Sequence, residues 1–194
     1  GTEIDQFRDF RSATDGVEYE RRIGQLLDGL AALPMPTIAA VQRSAVGAGL
    51  AIAAMCDLII ADQGAVFGAP IARTLGNCLS IRVVAALRQR LGASRTQTML
   101  LTARLMTAES LAGSGFVAAV AAAAEFEAEV AATAERIASL APLTLRSLKE
   151  MARRIDATEL PDDTDLLASC YGSTDFHEGV GAFLEHRPPQ WTGH

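Results

Sequence analysis

The stretch SAVGAGLAIAAMCDLIIA, Ser44 to Ala61, puts two glycines around one alanine, then a run of small apolar residues, then Cys-Asp and a short β-branched segment. A Gly-x-Gly pair of this kind marks a tight corner. Where such a corner opens a helix, its backbone N–H groups also make a site for an anion or oxyanion. The segment is not a dinucleotide fingerprint, because Ile52 stands where GxGxxG needs its third glycine, and it has no GK[ST] of a phosphate-binding loop. Upstream, TIAAVQ reads as a buried strand ahead of the corner; downstream, LAIAAM reads as a short helix and CDLIIA as a second strand. AVFGAP supplies a third, short strand. Strand, glycine turn, helix, strand is an α/β pattern with parallel strands.

The rest of the chain is increasingly helical. Ile23, Leu26, Leu27 and Leu30 recur at helical spacing before the prolines of ALPMP. IRVVAALRQRLG predicts a helix, and another begins near Ser94. TAESLAGSGFVAAV predicts a short helix capped by Thr107 and stopped at Gly115, followed by a strand. From about Glu125 the pattern is almost all helix, with Phe126, Val130 and Ile137 on one face and Leu145, Leu148, Ala152 and Ile155 on another. Asp175 and Glu178 have capping-box spacing at the head of the last helix. An α/β core over residues 1–122 and a helical segment over 123–194 are expected.

Composition narrows the function. The chain has 194 residues, 49% hydrophobic and 5% aromatic, so its core must rest on Ala, Leu, Val and Ile. A net charge of −6 argues against sequence-independent nucleic-acid binding. The positive charge is nearly all arginine, with Lys149 the one lysine, which leaves an anionic ligand open. No apolar run is long enough for a membrane span; FVAAVAAAAEFEAEVAATA comes closest and three glutamates interrupt it. Cys56, Cys78 and Cys170 are scattered and odd in number, which fits a reducing compartment such as the cytoplasm. His177, His186 and His194 lack convergent metal-ligand spacing, so no metal site is expected.

Four segments together resemble the enoyl-CoA hydratase/isomerase family of the crotonase superfamily. PTIAAVQRSAVGAGLAIAAMCDLIIADQGAVFGAP is similar to its signature region, and GTEIDQF to its G-A-D-[IL]-x-x-[FM] loop. LLTARLMTAESLAGSGFVAAV is similar to L-T-G-x-x-x-x-A-x-x-A-x-x-x-G-L-V, and DFHEGVGAFLEHRPPQW to [ED]-x-x-E-G-x-x-A-F-x-E-K-R-x-P-x-[WF]. The resemblance spans nearly the whole chain in order. It implies a spiral of ββα turns with a C-terminal helical segment that packs trimers or hexamers, and an acyl-CoA thioester as ligand with no separate cofactor. It also implies an oxyanion hole made by the backbone amides of Thr2 and Ala48. Gly1, Glu3, Ile4, Val46, Gly47, Pro70, Ile71, Leu75 and Asn77 are the substrate-binding residues it implies.

The family pattern then breaks. Its two acid–base glutamates correspond to Ala51 and Ile71, neither of which carries a proton. Its E-I-x-L-G-x-x-P-G-x-G-G stretch is replaced by IARTLGNCLSIR, one residue longer before Gly76. There Asn77 reads as the cap of a helix starting near Cys78; Arg73, Asn77 or Cys78 facing the acyl pocket is the alternative, with Cys78 activated by a helix N-terminus. Glu3 is a carboxylate beside the first oxyanion donor, and Asp57 reads as a buried hydrogen-bonding group at a strand head. Family members carry several strands ahead of the position of Gly1, so an upstream segment is expected. An enzyme with a relocated acid or base, a silent acyl-CoA binder or partner subunit, and a purely structural oligomer all remain open.

Overall fold

A computed structural model describes residues 3–156 and 162–193. A 3₁₀ helix, Ile4–Asp9, leads into α1, Ala13–Ala31, whose Ser12 and Asp15 form a reciprocal capping box. The chain then winds as a spiral. β1 (Ile38–Val41), β2 (Ser44–Val46) and α2 (Ala48–Met55) make one turn; β3 (Leu58–Asp62), β4 (Val66–Gly68) and α3 (Ile71–Thr74) begin the next. α4 (Ile81–Leu91) and α5 (Ala93–Leu101) follow, then β5 (Met106–Thr107), α6 (Ala108–Ala112) and β6 (Ala119–Ala121). Odd and even strands go to different sheets early on: β1, β3 and β6 form one parallel sheet, while β2 and β4 pair parallel and β5 closes the second sheet antiparallel. The short crossovers and the β-branched run of β3 explain why parallel pairing is used: both faces of these strands are covered.

The main core lies between the sheets and α2, α4, α5 and α6, with Leu50, Ile59, Phe67, Leu87, Met99 and Phe116 fully buried. Arg90 of α4 ties this layer together. Its guanidinium donates to the carbonyls of Ala54 (2.9 Å), Cys56 and Asp57, satisfying the end of α2, and stacks 5.7 Å from the Phe116 ring.

Among the described residues four helices follow: α7 (Phe126–Ala138), α8 (Pro142–Asp156), α9 (Thr164–Tyr171) and α10 (Thr174–Leu184). The last two fold back onto the start of the described chain. Phe7, Phe10, Tyr19, Tyr171 and Phe176 make a second, aromatic core, joined by Leu75, Leu167 and Val180. Its rings interlock edge to face, Phe7 against Tyr19 at 5.0 Å and Tyr171 against Phe176 at 4.9 Å. α8 is different: Leu143, Leu148, Met151 and Ile155 are all exposed, and it is tied down by Lys149, which meets Asp57 at 2.7 Å and the Met35 carbonyl at 3.0 Å. Asp57 also accepts from the amide and hydroxyl of Thr37. Asp57 is thus the hydrogen-bonding group expected, but it is exposed and not buried, because its partners Thr37 and Lys149 lie at the surface.

Several local expectations need correction. The stretch before the glycine corner is itself a strand, β2, and Met106–Thr107 is another; both are too short to show a period. Thr107 does cap α6, accepting from the Ser110 amide, but the helix ends at Gly113; Gly115 (φ +80°) shapes the turn beyond it. The last helix is capped by Ser173, which accepts from the Phe176 amide. Asp175 and Glu178 instead hold the following tail. Asp175 accepts from the amides of Thr192 and Gly193, and Glu178 binds Arg187 and the Gln190 amide. That bidentate pair with Arg187 holds the Glu178 carboxyl at about 2.

Candidate functional site

The corner at Gly47 is built by the second sheet. Val46 pairs with Gly68, and the Gly47 amide donates to the Gly68 carbonyl at 3.0 Å. Gly47 has φ 57° and ψ −117°, a left-handed conformation that a side chain would strain. Its carbonyl accepts the Ala51 amide, starting α2. The Ala48 N–H is consequently the first amide of that helix, and no acceptor takes it among the described residues. It is an orphan donor at the positive end of a helix with no charged side chain, anchored by buried Leu50, Ala51, Ala53 and Ala54. The arrangement suits a developing negative charge.

β4 ends beside the same corner. Pro70 caps α3, half-buried Ile71 is its first residue, and the Thr74 hydroxyl donates to the Pro70 carbonyl. The structure thus brings Val46, Gly47, Ala48, Pro70 and Ile71 to adjacent strand ends. Other expected site residues go elsewhere. Ile4 and Leu75 pack in or against the aromatic core, and the Leu75 carbonyl lies where a Cβ on Gly179 would fall, only 2.4 Å away. Glu3 is exposed ahead of the 3₁₀ helix and makes no side-chain cap. Gly1 and Thr2 lie outside the described residues. No group of three or more His, Cys, Asp or Glu able to hold a metal occurs among the described residues, and no described helix is long and apolar enough to cross a membrane.

The 75–80 loop differs most from expectation. α4 begins at Ile81, after Ser80, and the Asp163 carboxylate accepts the Ile81 amide. Asn77 is no cap. Its side-chain amide donates to the Tyr171 hydroxyl at 3.3 Å, while that hydroxyl donates to Glu20 at 2.6 Å. Nor is Cys78 activated by a helix end: its thiol is pushed well up, first by a hydrogen bond with Cys170 and then by burial.

Glu20 is the carboxylate that the sequence reading passed over. It is 7% exposed on α1, and burial raises its carboxyl, against the lowering effect of its bonds to Tyr171 and the Ser80 backbone. Its position was detectable, because Glu20 shares a helical stripe with Ile23 and Leu27 at i+3 and i+7. A carboxyl held above its ordinary 4.5 stabilises the fold fully below that value, and the contribution is lost as pH rises through the raised value. Glu20→Gln is therefore expected to match the native protein in urea unfolding at acid pH. It should become the more stable of the two as pH climbs, the gap growing by at most about 1.4 kcal/mol per pH unit. Parallel stability–pH curves would contradict this.

The profile of the family described as enoyl-CoA hydratase/isomerase matches residues 5–194. A relative named probable enoyl-CoA hydratase echA6, from Mycobacterium tuberculosis, is 32% identical over 178 residues, covering 91% of this chain and 71% of its own. Among solved structures, methylmalonyl-CoA decarboxylase in complex with 2-nitronate-propionyl-CoA superposes with a TM-score of 0.88 at 26% identity, over 100% of this chain and 76% of that one. An enoyl-CoA hydratase/carnithine racemase from Magnetospirillum magneticum gives 0.77 at 32% identity, over 100% and 73%.

Proposed function

This chain belongs to the enoyl-CoA hydratase/isomerase family of the crotonase superfamily, and from that premise we propose that it acts on an acyl-CoA thioester whose carbonyl oxygen is held by the Ala48 amide. The observation that carries the reading is the unpaired Ala48 N–H at the glycine corner, aimed from the start of an apolar helix. The amide of Thr2 is the second donor of the proposed oxyanion hole. When an electron pair moves onto the thioester oxygen to form an enolate, such donors stabilise the new charge without having to reorganise. No cofactor is called for beyond the coenzyme A of the substrate.

The residues around the donor decide between reactions. Hydration needs a group that activates water and one that protonates carbon. Ala51 is 3% exposed within the core and Ile71 is aliphatic, so neither serves. A second reading follows from that same apolar lining. In decarboxylation of a 2-carboxyacyl thioester, the C–C bond breaks, CO₂ leaves, its electron pair passes onto the thioester oxygen, and the enolate then takes a proton at its α-carbon from water. No base is required, and an apolar wall beside the carboxylate favours its loss as a neutral gas. The superposition on methylmalonyl-CoA decarboxylase supports this reading.

We place the protein in the cytoplasm as an assembly of three or six copies. Three free cysteines support a reducing compartment, and the exposed apolar residues of α8 support a face between copies.

The test is to offer the protein crotonyl-CoA and a 2-carboxyacyl-CoA, following loss of the conjugated thioester absorbance, release of CO₂, and binding in the same samples. Release of CO₂ without crotonyl-CoA turnover supports decarboxylation. Crotonyl-CoA turnover supports an acid–base group elsewhere, Glu3 first among the candidates. Binding with neither reaction supports a silent acyl-CoA binder. Absence of binding overturns the proposal.

A further inference from the structure

α8 turns its charged side toward the rest of the protein. Leu143, Leu148, Met151 and Ile155 are exposed, whereas Arg146, Lys149, Glu150, Arg153 and Arg154, at i, i+3, i+4, i+7 and i+8, form one stripe facing the end of α1. Residues 31–34 make the opposite wall, and the cleft between holds about 320 Å³. That is room for a small molecule, at the lower end of the usual range of about 300–1,000 Å³. The fold uses only part of the charge in this cleft. Lys149 is taken up by Asp57 at 2.7 Å and the Met35 carbonyl at 3.0 Å, which fixes α8 to the turns ahead of β1 and β3. Arg153 and Arg154 share a single carboxylate, Glu150, each with its Nε at 2.7 Å. Those two bonds, Arg153 first, hold the Glu150 carboxyl at about 2, so it is ionised at neutral pH. Arg146 has no partner among the described residues, and no acid other than Glu150 lines the cleft. Four cations thus answer to two carboxylates. The carbonyl end of α1 adds only about half a negative charge, so the cleft stays strongly positive.

We propose that the cleft between α8 and the end of α1 binds a phosphate-bearing small molecule. A phosphate monoester carries about −1.5 to −2 charges at neutral pH, which matches the excess of cations. Guanidinium forks suit its oxygens, because two parallel N–H groups reach two oxygens at once. Arg146 offers a whole fork. Arg154 engages Glu150 through Nε alone, so both of its terminal nitrogens remain to donate, and Arg153 keeps one. The facing wall of Ala31, Ala32, Leu33 and Pro34 gives an apolar surface against which a ring or chain carried by the phosphate can lie. This cleft sits where β1 and β3 begin, and the glycine corner sits where β2 ends, so the two sites are separate. The apolar face of α8 points away from the cleft and can be covered by another copy while the cleft stays open.

The experiment titrates the full chain with inorganic phosphate and with AMP at constant ionic strength, by calorimetry and by thermal melting. One saturable site per chain is expected, with a melting temperature that rises as the site fills. Arg146→Gln should weaken binding of both probes about tenfold or more, since it removes charge-assisted hydrogen bonds. Without phosphate this variant should melt like the native protein, because Arg146 gives up no partner among the described residues. Arg88→Gln removes an exposed arginine outside the cleft and should leave binding unchanged. Ala48→Pro should leave it unchanged as well, which separates this cleft from the acyl-CoA site. AMP binding more tightly than phosphate would assign the apolar wall to the organic part of the ligand; equal affinities would assign the site to the phosphate alone. Absence of saturable binding overturns the proposal. So does native affinity in Arg146→Gln, which puts the anion elsewhere, or an equal loss in Arg88→Gln, which reduces it to general attraction by surface charge.

Discussion

Tyr171→Ala is expected to lower the free energy of unfolding by about 3–5 kcal/mol, the range for emptying a fully buried aromatic site. Tyr171 has no exposed surface, and its ring meets Phe7, Phe10, Tyr19 and Phe176. The site has little room to collapse, since Gly16 already lies so close that a Cβ there would fall 2.0 Å from the Tyr171 ring. Losing the hydroxyl adds to the loss, because the Glu20 carboxyl would forfeit a donor and the Asn77 amide nitrogen its acceptor. Tyr171→Phe separates the two contributions and should cost about 1–3 kcal/mol. Urea unfolding followed by circular dichroism measures both. An alanine variant within 1 kcal/mol of native would mean that the aromatic core does not hold the tail helices to the spiral.

The second large effect concerns chemistry. Ala48→Pro removes one hydrogen-bond donor and little else, because position N1 of a helix tolerates proline and the Ala48 amide has no acceptor to lose. If that amide holds the thioester oxygen, turnover of the acyl-CoA substrate should fall about 10²–10³-fold while thermal stability stays close to native. Ala48→Gly, which keeps the N–H, should retain most of the activity. A proline variant with native turnover would refute the role of Ala48. Restoring the family's acid by Ile71→Glu is structurally mild, since a carboxylate in the first turn of α3 is favourably placed. Ala51→Glu is not mild: it would bury a charge in the main core.

How far the sequence could be read depended on the length scale of each signal. β3 declared itself through consecutive apolar residues, and α2 through the glycine corner and the alanines after it. Ser44–Val46 and Met106–Thr107 could not, because two or three residues hold no period and their pairing is decided by β4, far away in sequence. That Val46, Gly47, Ala48, Pro70 and Ile71 come together at adjacent strand ends was legible because backbone geometry places them there, and Gly47 records that geometry. Asn77 and Cys78, read as the cap and start of a helix that begins only at Ile81, escaped for the opposite reason. Their roles depend on side chains arriving from α9, a helix some ninety residues later, and no local pattern announces that partner. The acidic pair Asp175 and Glu178 had correct helix-start spacing but found better donors in the tail beyond the helix, where bare amides and Arg187 outcompete a cap already supplied by Ser173.

The aromatic core also sets a timetable for the cell. Phe7 and Phe10 are among the first described residues to leave the ribosome, yet Tyr171 and Phe176 are made roughly 170 residues later, which at the usual pace of synthesis is about 10–30 s. Through that interval Phe7, Phe10 and Tyr19 can pack on one another but lack the half of the core that α9 and α10 supply, while the strands of the spiral can already pair. The nascent chain therefore carries an incomplete aromatic core beside a half-built spiral until α9 and α10 emerge.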